Sequence, residues 1–398
     1  MRLALVFIAA TLTAASLMAA EKQSEKQMVQ PAGDPPATGP YSPGVMAGDF
    51  LYVSGHGVVR DADGQLPKGG PEAWVRQTLD NVQKIVAGGG LTMEHVVFTQ
   101  VYLHESTPMA TVDKVWKEYF PTNPPARAVL GVYRMPTDTP VEINAIAVRQ
   151  LSGKKVFTTP AGIGVQAGNR FYASGAYGAT TNEALDKLQK ILAAAKLDLG
   201  HLVFVNPYLA PTVTIARMNG DYAKRFLPGY APARATIPVT FLPGGAAVEF
   251  SGVAVMDLKD RRIVRPKNMP PSPTASPCVW ALDNGRNDTL FCSAKSGFIP
   301  GPNGGIYAGN VEDQVRQSLR NLLDGLEEAG LDFSHAVWAN VYLDQIDEWA
   351  RMNAVYRQYF GKVPPVRTTV GPLKPVERQR SESGHSPKLE EISIIAVR

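Results

Sequence analysis

Between residues 72 and 87 apolar side chains return every three or four positions, at Val75, Leu79, Val82, Ile85 and Val86, with polar residues between them. This spacing predicts a helix from Glu72 to Ala87 with one buried face, ended by Gly88-Gly89-Gly90. The pattern on either side is different. Phe50-Leu51-Tyr52-Val53-Ser54-Gly55 follows the turn residues Ala47-Gly48-Asp49 and reads as the second arm of a hairpin. Strand Val96 to Leu103, a second helix from Met109 to Phe120, and strands Ala128 to Tyr133 and Val141 to Arg149 complete an order β-β-α-β-α-β-β. Such an order defines an α+β unit, a sheet covered by helices.

The order then returns. Pro125-Ala126-Arg127-Ala128-Val129, with Glu142 fifteen residues beyond the arginine, reappears as Pro232-Ala233-Arg234-Ala235-Thr236 with Glu249, again at fifteen. A third copy, Pro365-Val366-Arg367-Thr368-Thr369, is followed by Glu391 across a connection nine residues longer that includes Ser381, Ser383, Gly384 and Ser386. Three tandem units are therefore expected at 38–150, 151–258 and 278–398, with linkers at 21–37 and 259–277. In unit two the helices fall at Glu183 to Ala195 and Ile215 to Phe226, and in unit three at Val311 to Ala329 and Glu348 to Phe360. The strands Leu202 to Leu209 and Ala336 to Leu343 match Val96 to Leu103, and Ser54, Ser174 and Ser293 mark the same hairpin end.

Composition narrows the class. At 398 residues, 44% hydrophobic and 19% charged, the chain can bury several cores, and a net charge of +4 without like-charge blocks argues against nucleic acid as partner. Residues 1–20, with Arg2, an apolar run and a small-residue finish, resemble a cleaved secretory signal, so an exported, periplasmic or secreted protein without a membrane span after cleavage is expected. The two cysteines, Cys278 and Cys292, flank a hairpin turn at Asp283-Asn284-Gly285-Arg286; a disulfide and two small buried side chains both fit. No metal-ligand spacing occurs, and no metal or other cofactor is expected. His95, His201 and His335 enter equivalent strands and read as local structural residues, whereas His56 has no counterpart.

The repeated arginine carries the first chemical suggestion. Its planar guanidinium offers two parallel donors that match a carboxylate, while a glutamate among Ile and Ala can be held protonated near neutrality. A clamp for a small carboxylic acid and a structural Arg-Glu salt bridge are both compatible with this spacing.

Gly39-Pro40-Tyr41, Ser54-Gly55, Arg76-Gln77-Thr78-Leu79-Asp80-Asn81-Val82, Pro125-Ala126-Arg127 and Glu142-Ile143-Asn144-Ala145-Ile146-Ala147-Val148 resemble the RidA (YjgF) family of enamine and imine deaminases, also called L-PSP endoribonucleases. The resemblance implies a chorismate-mutase-like fold, with three units forming an intramolecular pseudo-trimer, a central β-barrel and helices outside, the chain itself a monomer. It implies hydrolysis of 2-aminoacrylate or 2-imino acids to 2-oxo acids and ammonia. Arg127 would bind the substrate carboxylate and Glu142 would handle the water, with Tyr41, Ser54 and Gly55 lining the cleft. Asp113, Asn219 and Asn353 would stand on the second helices, and Val129 two residues past the arginine. Arg234, Glu249, Ser174 and Gly175 would repeat the site from unit two, and Arg367 and Glu391 from unit three. Departures accompany it: Tyr41 aligns with Ala161, unit three has Ser293-Ala294 and then Lys295-Ser296 read as an insertion, and the family cysteine is Val129, Thr236 or Thr369. One or two competent clefts are expected, shared between units in an order the sequence leaves open. A binding protein for 2-oxo or carboxylic acids is the alternative, and RNA cleavage a remoter one, with no basic stripe to support it.

Overall fold

The computed structural model describes residues 26–33, 37–267, 269–301, 304–376 and 386–398; the expected signal at 1–20 and Ser381, Ser383 and Gly384 lie outside them. Unit one comprises β1 (Gln27–Val29), β2 (Gly44–Ala47), β3 (Phe50–Gly57), α1 (Gly70–Gly88), β4 (Val96–Leu103), α2 (Met109–Tyr119), β5 (Ala126–Gly131) and β6 (Val141–Val148). Its sheet runs β1-β2-β3-β6-β4-β5, with β5 parallel to β4 and the other neighbours antiparallel. Unit two repeats this with β7 (Lys154–Thr159), β8 (Gly162–Ala167), β9 (Arg170–Gly178), α3 (Thr181–Ala193), β10 (Leu202–Leu209), α4 (Ile215–Tyr222), β11 (Ala233–Arg234), β12 (Ile237–Pro238) and β13 (Val248–Val255). Unit three has β14 (Arg261–Val264), β15 (Cys278–Ala281), β16 (Thr289–Lys295), a small ribbon of β17 (Phe298–Ile299) and β18 (Ile306–Tyr307), then α5 (Val311–Glu328), β19 (Ala336–Leu343), α6 (Trp349–Tyr356), β20 (Val366–Val370) and β21 (Glu390–Val397).

Each unit thus begins with a strand that the hydrophobic pattern did not reveal. The expected linker at 21–37 contains β1, and that at 259–277 contains β14. The three residues of β1 and the four of β14 are too few to show periodicity, the six of β7 bury none fully, and β1 buries only Val29, against Gly44 and Gly88 of its own unit. A cation beside each of these strands reaches across a seam. Lys154 Nζ donates to the carbonyls of Glu94 and Val96, Arg261 Nε to that of Leu202, and Lys26 Nζ to those of Ser334 and Ala336. Unit two is tied to one, three to two, and one to three.

The three sheets enclose a shared core to which all units contribute. Aromatic pairs sit at each seam: Phe98 with Tyr172, Phe204 with Phe291, and Tyr52 with Trp338, at centroid distances of 6.0, 6.0 and 6.3 Å. Helices cover the outer faces, each burying its apolar stripe against its own sheet. Cys278 and Cys292 face each other across β15 and β16 and are joined as a disulfide beneath α5, where Gly325 leaves room for the sulfur. His95, His201 and His335 accept a backbone N–H of the preceding turn on Nδ1, the structural role their position suggested.

Candidate active site

Alternation along the strands separates the two residues the sequence had paired. On β6, Ile146 and Val148 enter the shared core while Ile143, Ala145 and Ala147 face the helices, so Glu142 lies on the inner face. On β5, Ala126 and Ala128 are in the shared core, and Arg127 points outward beneath α2, 4.7 Å from the Trp116 ring. Arg127 and Glu142 leave opposite faces of one sheet, on strands separated by β4. They do not share a cleft.

The partner of Glu142 is Arg367 of unit three, whose charge acts on it. Arg367 lies 5.2 Å from the Tyr41 ring and 5.0 Å from that of Tyr356, and its Nη1 donates to Asn353 Oδ1 at 2.7 Å. Its backbone N–H donates to Ser54 Oγ at 3.0 Å. This is cleft I, between units three and one. Cleft II joins Arg127 of unit one to Ser174, Gly175, Tyr177 and Glu249 of unit two. Cleft III joins Arg234 of unit two to Ser293 and Glu391 of unit three, with the Arg234 N–H on Ser293 Oγ at 2.8 Å. Each cleft therefore takes its arginine from one unit and its glutamate from the next.

Bulges shape these clefts. The ladder of β3 slips between Val53 and His56, which frees Ser54 and Gly55 from regular pairing, and β9 and β16 slip at the equivalent place. A Cβ at Gly55 would lie 1.9 Å from Glu142 Oε1, so only glycine lets that carboxyl occupy its position. In unit three the residue is Ala294, and Glu391 is instead ion-paired with Lys388 at 2.7 Å. Lys295 pairs with Ile392 as His56 pairs with Ile143; Lys295-Ser296 replaces His56-Gly57 and is not an insertion.

Small differences decide how the serine is used. Ser54 and Ser293 donate to the carbonyls of Ser42 and Ser276, and each accepts the arginine N–H of the neighbouring unit. The residues beside them, Pro43 and Pro277, have no N–H to compete. Unit two has Ile163 there, and its N–H takes Ser174 Oγ at 2.9 Å. The second-helix residues differ too. Asn353 and Asn219 orient their arginines without cancelling charge, whereas Asp113 forms a 2.6 Å ion pair with Arg127.

Burial holds the Glu142 carboxyl up, to about 8, although the charge of Arg367 pulls the other way. At neutral pH this group is mainly protonated. Glu249, fully buried without an opposing arginine charge, is pushed well above the ordinary carboxylate range. Among the described residues no group of three or more His, Cys, Asp or Glu side chains is arranged to hold a metal ion, and no helix is long and apolar enough to cross a membrane. Tyr177 escaped the sequence reading, although its signal was present: the register places it opposite Glu249, where unit one has Gly57 opposite Glu142.

Fold and site together define an α+β protein of three like units with an arginine-glutamate cleft at each seam. The family model described as Endoribonuclease L-PSP matches residues 32–149, 154–256 and 275–374, and the chain belongs to that family, the RidA/YjgF group. It is similar to the human 2-iminobutanoate/2-iminopropanoate deaminase, 34% identical over 31% of this chain and 90% of that enzyme. The enzyme of the same name from Escherichia coli K12 is 38% identical over 29% of this chain and 92% of its own length. A chorismatase crystal structure covers 76% of this chain and 93% of its own at a TM-score of 0.52 and 13% identity, a likeness of fold alone.

Proposed function

We propose that the protein hydrolyses reactive 2-imino acids and enamines such as 2-aminoacrylate, in cleft I, to 2-oxo acids and ammonia. The observation that carries this reading is the pairing of Arg367, held by neutral Asn353, with the largely protonated Glu142, whose carboxyl lies against the bare Cα of Gly55. Arg367 binds the substrate carboxylate through two charge-assisted hydrogen bonds, and Tyr41 closes one side. Glu142 gives its proton to the methylene carbon of the enamine, which yields the iminium; its carboxylate then takes a proton from water as the oxygen adds to the iminium carbon. Glu142 returns that proton to the nitrogen of the resulting carbinolamine, the C–N bond breaks and ammonia leaves, and the hydroxyl proton passes back to the Glu142 carboxylate as the carbonyl forms, which restores the protonated acid. The deaminase relatives support the chemistry at the level of the family.

The signal-like residues 1–20 and the Cys278–Cys292 disulfide support an exported protein, since disulfides persist in oxidising compartments. One chain supplies both sides of every cleft, which supports a working monomer. The test is a coupled assay in which an amino-acid oxidase generates 2-imino acids and semicarbazide traps what remains. Arg367→Ala is expected to lower kcat/KM by roughly 100-fold or more, the scale of losing a buried charged clamp, with Arg127→Ala within about twofold of the parent. Equal loss in both variants, with both folded, would sink the assignment to cleft I.

A further inference from the structure

Cleft II has the same frame as cleft I, yet its centre is filled from within. The Tyr177 hydroxyl accepts the Val129 N–H at 2.9 Å and approaches the Val129 carbonyl at 3.2 Å, so it occupies both outward backbone groups two residues beyond Arg127. It also lies above Gly175: a Cβ there would be 2.6 Å from the Tyr177 hydroxyl and 2.6 Å from Glu249 Oε1. Polar groups of both units gather around the phenol. Arg127 Nη1 is buried and makes no hydrogen bond, while the buried Glu249 carboxyl is turned toward the Ser251 hydroxyl and the Tyr177 phenol. A buried guanidinium N–H without an acceptor is costly, and an anionic oxygen placed there would satisfy it.

The neighbours of Tyr177 differ from unit one in a matched way. A Cβ at Gly57 would lie 2.6 Å from Thr139 Oγ1, so a large side chain could not stand there. In unit two the residue three before the glutamate is Ala246, a small side chain that packs, like Tyr177, against the cluster of Tyr102, Tyr208 and Tyr342. In unit one Thr139 takes the space beside Gly57 and no side chain stands opposite Glu142, whereas in unit two the small Ala246 goes with a tyrosine opposite Glu249.

We propose that cleft II is a latent second site for a small 2-oxo or other monocarboxylic acid, in which the Tyr177 phenol is a tethered occupant. Arg127 supplies the carboxylate contact through Nη1, since Nη2 is already held by Asp113 at 2.6 Å, and Glu249 and Ser251 face the rest of the ligand. In the natural chain the site binds nothing, because Tyr177 holds the Val129 amide and fills the space over Gly175. The inference rests on the reading of cleft I as a carboxylate site, and the test separates the two.

Isothermal titration with 2-oxobutanoate is made on the Arg367→Ala protein and on the same protein carrying Tyr177→Gly with Ala246→Thr, which installs the unit-one pair. The expected result is one further binding equivalent per chain in the opened protein, lost again when Arg127→Ala is added. Tyr177→Ala alone in the Arg367→Ala background is the second variant, for the case in which the double replacement does not fold; it is expected to gain the same equivalent. No added equivalent in a folded opened protein overturns the proposal, as does binding in the natural chain that disappears with Arg127→Ala. Failure of the cleft I reading shows elsewhere, as unaltered binding and turnover when Arg367→Ala is compared with the natural chain.

Discussion

Clefts I and II differ by few residues, and the difference shows that a repeated motif is not a repeated site. Both have an arginine on an edge strand, a serine and glycine at a bulge, and a glutamate on the inner face of the next sheet. Cleft I keeps its arginine charge uncancelled beside Asn353, and its serine is free to receive the arginine amide because Pro43 offers no N–H. In cleft II Asp113 neutralises Arg127, Ile163 claims the serine, and Tyr177 fills the centre. Gene duplication relieves each copy of the demand that every cleft work. Covalent linkage also lets the two sides of one cleft change independently, which a homotrimer cannot do.

The sharpest way to break this comparison is to remove the proton of Glu142 without removing its shape. Glu142→Gln is expected to lower turnover by at least about 100-fold, the scale of losing general acid-base catalysis, while Glu249→Gln leaves it within about twofold. The same variant has a stability signature. The folded carboxyl titrates at about 8 and the unfolded one in the ordinary range near 4.5. Between those values the folded chain keeps a proton that the unfolded chain has lost, so stability contributed by this group is complete at low pH and falls as pH rises to about 8. Glu142→Gln is therefore expected to flatten the decline in urea-derived stability between pH 5 and 8, by up to a few kcal/mol on the order-of-magnitude scale of such linkage. An unchanged slope would remove the basis for treating the group as a proton donor at neutrality.

Much of this frame was legible in the sequence, and the part that was not has a physical reason. Strands Val96–Leu103, Leu202–Leu209 and Ala336–Leu343 were placed to the residue, because eight buried positions bounded by turns leave little freedom in where they start and stop. The arginines and glutamates were recognised from the repeat. Their pairing was not, since spacing along one chain suggested Arg127 with Glu142, and only the inward and outward alternation of β5 and β6 shows that they diverge. The strands at Gln27–Val29 and Arg261–Val264 were read as linker because they are short and bury little.

A smaller effect sharpens the comparison at the serines. Ser54 Oγ is buried, donates to the Ser42 carbonyl at 2.7 Å and accepts the Arg367 N–H at 3.0 Å. Ser54→Ala leaves both backbone groups unpaired at the seam that carries Arg367, at a cost of roughly 2 kcal/mol. Because the arginine strand is then held less firmly against unit one, KM for the imino acid is expected to rise several-fold with a smaller change in kcat. Ser174→Ala releases only the Ile163 N–H, costs about 1 kcal/mol, and leaves KM unchanged. Thermal melts and steady-state kinetics on the two variants distinguish them; equal KM values would show that the serine only supports the fold.

The least expected effect concerns how the seams are closed. Units one and two are joined by the chain at 149–154, and units two and three by 256–261, but units three and one meet only through side chains and scattered backbone bonds. Cleft I lies at this seam. Lys26 ties it with hydrogen bonds of 3.2 and 2.5 Å to the carbonyls of Ser334 and Ala336, as Lys154 ties the first seam through Glu94 and Val96. Burial lowers both ammonium groups to about 8, so each imposes a desolvation penalty on the fold while charged. The penalty is present below pH 8 and is relieved as pH rises from about 8 toward the unfolded value of 10.5, where the neutral amine still donates. Lys26→Met therefore exchanges two hydrogen bonds for relief of that penalty, and its net cost near neutrality is about 1 kcal/mol. Lys154→Met is expected to cost about the same in stability yet leave KM alone, because the peptide chain holds its seam. Lys26→Met is expected to raise KM about twofold, since nothing covalent keeps Arg367 and Glu142 in register; a matching rise in Lys154→Met would show that the third seam has no special part in forming the site.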